Sequence, residues 1–89
     1  MTQIWKAAGN DHYLPKGKKR STHVIVTVDA GTGNVQFQYR DKDGAWMTPT
    51  DAAYTVSEDA VIRIPRNNMP EQNITATGDA QFSVSGSID

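Results

Sequence analysis

The chain has 89 residues, no cysteine and a formal net charge of -1 at pH 7. That length allows one domain with one small core and a radius of gyration of about 12 Å; without cysteine, disulfides and thiolate metal sites are excluded, leaving packing or association as sources of extra stability. The near-neutral total hides an asymmetry: residues 1–20 carry Lys6, Lys16, Lys18, Lys19 and Arg20 against Asp11 alone, a net of +4, while residues 21–89 carry four cations against nine acids, a net of −5.

Residues 1–21 scatter Ile4, Trp5, Tyr13 and Leu14 among Gly9, Asn10, Pro15 and Gly17 without alternation. They are expected to form a basic, irregular arm, with room for one short strand around QIWKA, leading into a domain over residues 22–89. No apolar run reaches the roughly 18 residues of a membrane helix, and the first residues lack a basic stretch followed by an apolar one. A soluble protein, used without secretion by a signal peptide and without a membrane partner, is therefore expected.

From residue 22 onward the pattern has period two. HVIVTVDA puts Val24, Val26 and Val28 on one face, and NVQFQYRD does the same with Val35, Phe37 and Tyr39. AGTGN between them supplies glycines and an asparagine, suited to the positive φ of a short hairpin loop. A third strand carries Trp46 and Met47 and stops at Pro49. DAAYTV places Ala52, Tyr54 and Val56 on one face; AVIRIPR sets Ile62 and Ile64 opposite Val61 and Arg63; NNMPEQN reads as a loop. ITATG and AQFSVSGSI complete the series, with Phe82 and Val84 inward and Gln81, Ser83 and Ser85 outward. About seven short strands without helical periodicity predict an all-β fold, a small antiparallel β-sandwich or barrel.

The stretch RDKDGAW, residues 40–46, resembles a calcium loop only superficially. With Asp41 and Asp43 as the first and third ligands, the fifth position is Ala45, the glycine comes at the fourth and the twelfth is Ala52, so an EF-hand is excluded. An Asp-box turn fails too, because Lys42 stands where its aspartate belongs. Asp-Gly is instead the favoured pair of a tight hairpin turn, with Trp46 as a large core or cross-strand residue beyond it.

Little in the chain carries covalent chemistry. His12 and His23 lack carboxylates at metal-ligand spacing, and no nucleophile motif or phosphate-binding glycine loop is present. Neither an enzyme nor a metal or other cofactor is expected. The sequon at Asn73 would matter only in a secretory pathway. Lys16, Lys18, Lys19 and Arg20, in KGKKR, form the sharpest charge feature. The acidic body opposes nucleic acid and favours an acidic protein surface as partner, the alternative being a solvated linker. Ile4 and Trp5 serve either as an anchor in a partner's pocket or as a cover for the domain's own open end. The strand faces rich in Gln, Ser and Thr also suit a carbohydrate-binding module, with Tyr13, Tyr39, Tyr54 or Trp46 for stacking.

A valine-alternating strand, a Gly-Thr-Gly turn, VQFQYRD, DGAW, VIRIP and ITATGDAQFSVSGS together resemble the small β-sandwich accessory proteins of tailed-bacteriophage virions, over residues 22–89. Capsid decoration proteins and head-fibre or tail-associated modules are of this kind. The resemblance implies a non-enzymatic virion component made in the host cytoplasm, bound to the major capsid protein or another virion protein and assembled in some cases as a trimer. Its docking residues are expected to be Ile4, Trp5, Lys16, Lys18, Lys19 and Arg20, with residues 22–89 folding without the arm. The alternative is a tail- or fibre-associated module that binds a carbohydrate or receptor.

Overall fold

The structure, a computed structural model, describes residues 4–85. In chain order their strands are β1 (Trp5–Lys6), β2 (His12–Leu14), β3 (His23–Asp29), β4 (Asn34–Arg40), β5 (Trp46–Met47), β6 (Thr55–Val56), β7 (Ala60–Pro65), β8 (Gln72–Thr77) and β9 (Gln81–Ser85). They form two antiparallel sheets packed face to face, a sandwich and not a closed barrel. One has the order β1-β9-β3-β7; the other has β2-β8-β4-β5, with β6 also on β4.

The period-two alternation determines which face of each strand is buried. Val24, Val26 and Val28 of β3, Val35 and Phe37 of β4, Ile64 of β7, Ile74 and Ala76 of β8 and Phe82 of β9 meet between the sheets. Core residues are mostly β-branched, as the strands require. The radius of gyration is 12.6 Å.

Two sequence expectations are corrected. AGTGN does not close a hairpin: β3 and β4 lie in opposite sheets, because their valine faces pack on each other instead of sharing one sheet. Gly31 in that loop does take a positive φ of 55°, and the Asp79 carboxylate accepts the Thr32 amide (2.7 Å) and hydroxyl (2.9 Å) there. DAAYTV is not one strand; Ala52–Tyr54 is a 3-10 turn, capped by Asp51, whose carboxylate accepts the Ala53 amide. Of the two places expected for Trp46, core or cross-strand, it takes the second. It pairs with Arg40, whose parity is outward, so the indole lies on the outer face of the second sheet.

The segment expected to be an irregular arm is built into both sheets from residue 5 onward. β1 extends the first sheet beyond β9, β2 extends the second beyond β8, and Leu14 is completely buried. The strand expected around QIWKA is β1. The part of AQFSVSGSI beyond Ser85, like residues 1–3, lies outside the described residues.

Candidate functional site

The basic loop, residues 16–20, connects β2 to β3 and carries exposed Lys16, Lys18, Lys19 and Arg20 on a fixed backbone. The Gly17 amide donates to the Met69 carbonyl at 2.8 Å, and the Lys18 carbonyl accepts the amides of Ser21 and Asn68, both at 3.1 Å. The Lys18 amide donates to Ser21 Oγ at 2.8 Å, and the Asn67 side-chain amide donates to the Lys19 carbonyl. At Gly17 a Cβ would stand 1.6 Å from the Arg66 carbonyl oxygen. Only glycine permits that approach.

Behind the loop stands Arg66, the largest fully buried side chain. Nη1 donates to Gln72 Oε1 (2.6 Å), and Nη2 to the carbonyls of Pro15 (2.7 Å) and Pro70 (3.0 Å); its peptide amide donates to the Thr22 carbonyl (2.9 Å). Nε is buried without a partner. Burial lowers the guanidinium pKa, opposed by the nearby Tyr39. Arg66 thus fastens the loop before β3 to the loop after β7. Sequence reasoning missed it, since an arginine ending AVIRIPR carries no signal separating a buried staple from a solvated charge.

The only ion pair among the described residues joins Arg40 Nε to Glu71 Oε1 at 2.7 Å, so none of the four loop cations is paired with a described carboxylate. Ile4 and Trp5 lie elsewhere. Trp5 is level with Thr27 through Ser83, four residues along β3 from His23, or about 13 Å farther from the loop. Ile4 is 76% and Trp5 42% exposed. The six expected docking residues therefore separate into a basic end and an apolar edge.

A third surface is the outer face of the second sheet. Asn73 Nδ2 donates to Asp11 Oδ2 and Gln38 Oε1, both at 3.0 Å; Gln38 donates to Thr48, Thr48 to Gln36, and Gln36 to Asn34. This amide and hydroxyl ladder explains why Asn73, on an outer face, is buried. At one end the Tyr13 hydroxyl donates to Glu71 and the Arg40 guanidinium lies 4.2 Å above the Trp46 ring, which Tyr13 meets edge to face at 6.1 Å. The Tyr13 hydrogen bond, ahead of Arg40, holds the Glu71 carboxyl below its ordinary pKa. Of the four aromatics considered for stacking, these two share an outer face; Tyr39 and Tyr54 pack on each other at 5.8 Å, lining a cleft of about 230 Å³ with Met69 and Gln72.

No group of three His, Asp or Glu side chains able to hold a metal exists among the described residues, and none of their helices is long and apolar enough to cross a membrane. The RDKDGAW turn is organised by its own carboxylate, for Asp41 Oδ1 accepts the amides of Asp43 (2.8 Å) and Ala45 (2.9 Å), and Gly44 has φ 85°. Compared with protein-family models, with curated proteins and with solved structures, the chain has no match.

Proposed function

We propose that this domain is a non-enzymatic structural component of a tailed-phage virion, a decoration protein that binds the outside of the capsid shell and stabilises it. The observation that carries this reading is the basic loop: Lys16, Lys18, Lys19 and Arg20 are exposed, without acidic partners among the described residues, on a backbone that Arg66 and Gly17 hold in place. A fixed loop loses little entropy on docking, and clustered cations favour an acidic protein surface with a salt-dependent on-rate. The class of partner comes from the sequence pattern of residues 22–89 alone, which resembles that of virion accessory β-sandwiches.

The test is co-sedimentation of the purified chain with assembled heads that lack it, over a salt series. Saturable, stoichiometric binding is expected, weakening with salt and lost when the four loop cations are changed together to Gln. No binding at low salt, or binding indifferent to those changes, overturns the reading.

One observation favours a second reading, a tail- or fibre-associated carbohydrate-binding module. Tyr13 and Trp46 stand together at the end of a polar ladder on one outer face, and sugars combine stacking with hydrogen bonds to amides and hydroxyls. A glycan array then finds ligands that Trp46→Ala loses while the fold is retained.

A further inference from the structure

We propose that copies of this chain join edge to edge, β1 of one copy pairing with β7 of the next. The contact is heterologous, and its occupant is the N-terminal strand of a second copy. This inference does not rest on the virion reading.

The first sheet ends in two edges, β1 and β7. All its neighbours are antiparallel, so with four strands the first and last run in opposite directions. When two copies lie side by side in the same orientation, β1 of one therefore meets β7 of the other antiparallel, with the outer faces continuous.

The register aligns specific residues. Trp5 stands opposite Ser83, Ser83 opposite Thr27, and Thr27 opposite Val61. This is one row across the outer face, with a large apolar residue at each end, and Val61 is 71% exposed. Continuing the row places Trp5 of one copy beside Val61 of the next. Ile4 has the opposite parity and comes level with Ile62, which borders an open groove of about 450 Å³ between β7 and the 3-10 turn, lined also by Ala52, Ala53 and Ala60. An exposed isoleucine thus comes level with the apolar side of a groove that borders the edge, its other side being formed by Thr55, Ser57, Glu58 and Asp59. Lys6 comes level with Ala60, next to Asp59 and Glu58 at the same groove, so charge is complementary in the same register.

Free edges are normally blunted by charge, bulges or proline. Here the row that meets is apolar, Trp5 against Val61, while the charges at the edges are Lys6 of β1, which comes level with Ala60 beside Asp59, and Arg63, two residues after Val61 on β7. Strand addition supplies backbone hydrogen bonds and inserts alternate side chains into the groove. A heterologous contact closes into a ring if its rotation permits and otherwise forms an open filament.

The test uses the absence of cysteine. Light scattering of the full chain over a concentration series should give assemblies larger than one chain, and Val61→Asp, at an exposed position, should weaken association by at least about tenfold with an unchanged circular dichroism spectrum. Residues directly opposite across an antiparallel pair lie within the span of a disulfide. Trp5→Cys and Val61→Cys variants, mixed under mild oxidation, should cross-link with each other and much less in separate solutions. A monomer at every concentration overturns the proposal; so does assembly indifferent to Val61→Asp, or a Trp5→Cys variant that cross-links as well alone as in the mixture.

Discussion

Arg66 and Gln72 form a buried hydrogen bond, Nη1 to Oε1 at 2.6 Å, that ties the connection after β7 to the first residue of β8. Gln72 passes the link on, its Nε2 donating to the Tyr39 hydroxyl at 3.1 Å. The staple under the basic loop is thus continuous with the aromatic pair Tyr39 and Tyr54 at the end of the sandwich. A buried cation without a carboxylate is costly, and three charge-assisted bonds to neutral oxygens offset that cost here.

Arg66→Ala removes those three bonds, leaves the Pro15 and Pro70 carbonyls stripped and opens a cavity. A loss of about 3 kcal/mol is expected, from charge-assisted bonds of about 1.5–3 kcal/mol each against the relief of a buried charge. Arg66→Lys recovers little, because one ammonium lacks the forked reach of a guanidinium. Urea denaturation of the three proteins measures both differences.

Gly17→Ala tests the loop itself. The new methyl would meet the Arg66 backbone carbonyl at 1.6 Å, and a backbone atom cannot swing aside as a side chain can. A cost of about 1–3 kcal/mol is expected, with faster exchange of the Gly17-facing loop amides by hydrogen exchange. Gly9→Ala is a control for space, since nothing lies within 4 Å of a Cβ there; only its φ of 91° costs energy, about 1 kcal/mol.

In the 40–46 turn the two aspartates are unequal. Asp41 accepts two backbone amides, while Asp43 contributes its own amide to that carboxylate. Asp41→Ala is expected to cost about 1–2 kcal/mol, as local side-chain capping of a turn does, and Asp43→Ala to stay within about 0.5 kcal/mol. Thermal denaturation of the pair distinguishes them.

The longer strands from His23 onward were legible because one face of each is apolar, and period two needs only a few residues to be seen, although the first two residues of β8, Gln72 and Asn73, read as the end of the NNMPEQN loop. β1 showed only as room for a short strand around QIWKA and β2 not at all, since strands of two and three residues are too short for a period and their neighbours Gly9, Asn10 and Pro15 read as loop. For Trp46 the sequence left a core and a cross-strand position open. Its position was readable in principle, because Arg40 is outward by alternation and a hairpin at Asp-Gly sets Trp46 against it. The cross from β3 to β4 was hidden because a glycine loop serves a hairpin and a sheet-to-sheet connection alike. The cations of residues 16–20 were visible as a charge run, but the Arg66 staple that fixes them depends on contacts 51 residues apart in sequence.

His12 gives the fold a pH dependence. Its pKa is lowered by burial first and by Lys6 second; the Lys6 ammonium lies 3.1 Å from Nδ1. The unfolded chain, with His12 near 6.5, binds more protons than the folded one in the interval between the two pKa values, so stability rises with pH there. The contribution of the neutral imidazole is fully present above the unfolded pKa and is lost as pH falls through the folded one. Chemical denaturation from pH 8 to pH 5 should show stability declining below about 6.5, and His12→Gln should remove that component of the slope. Lys6→Gln separates the two causes: it removes the neighbouring charge and leaves the burial, so the imidazole titration followed by NMR should move up toward its ordinary value without reaching it.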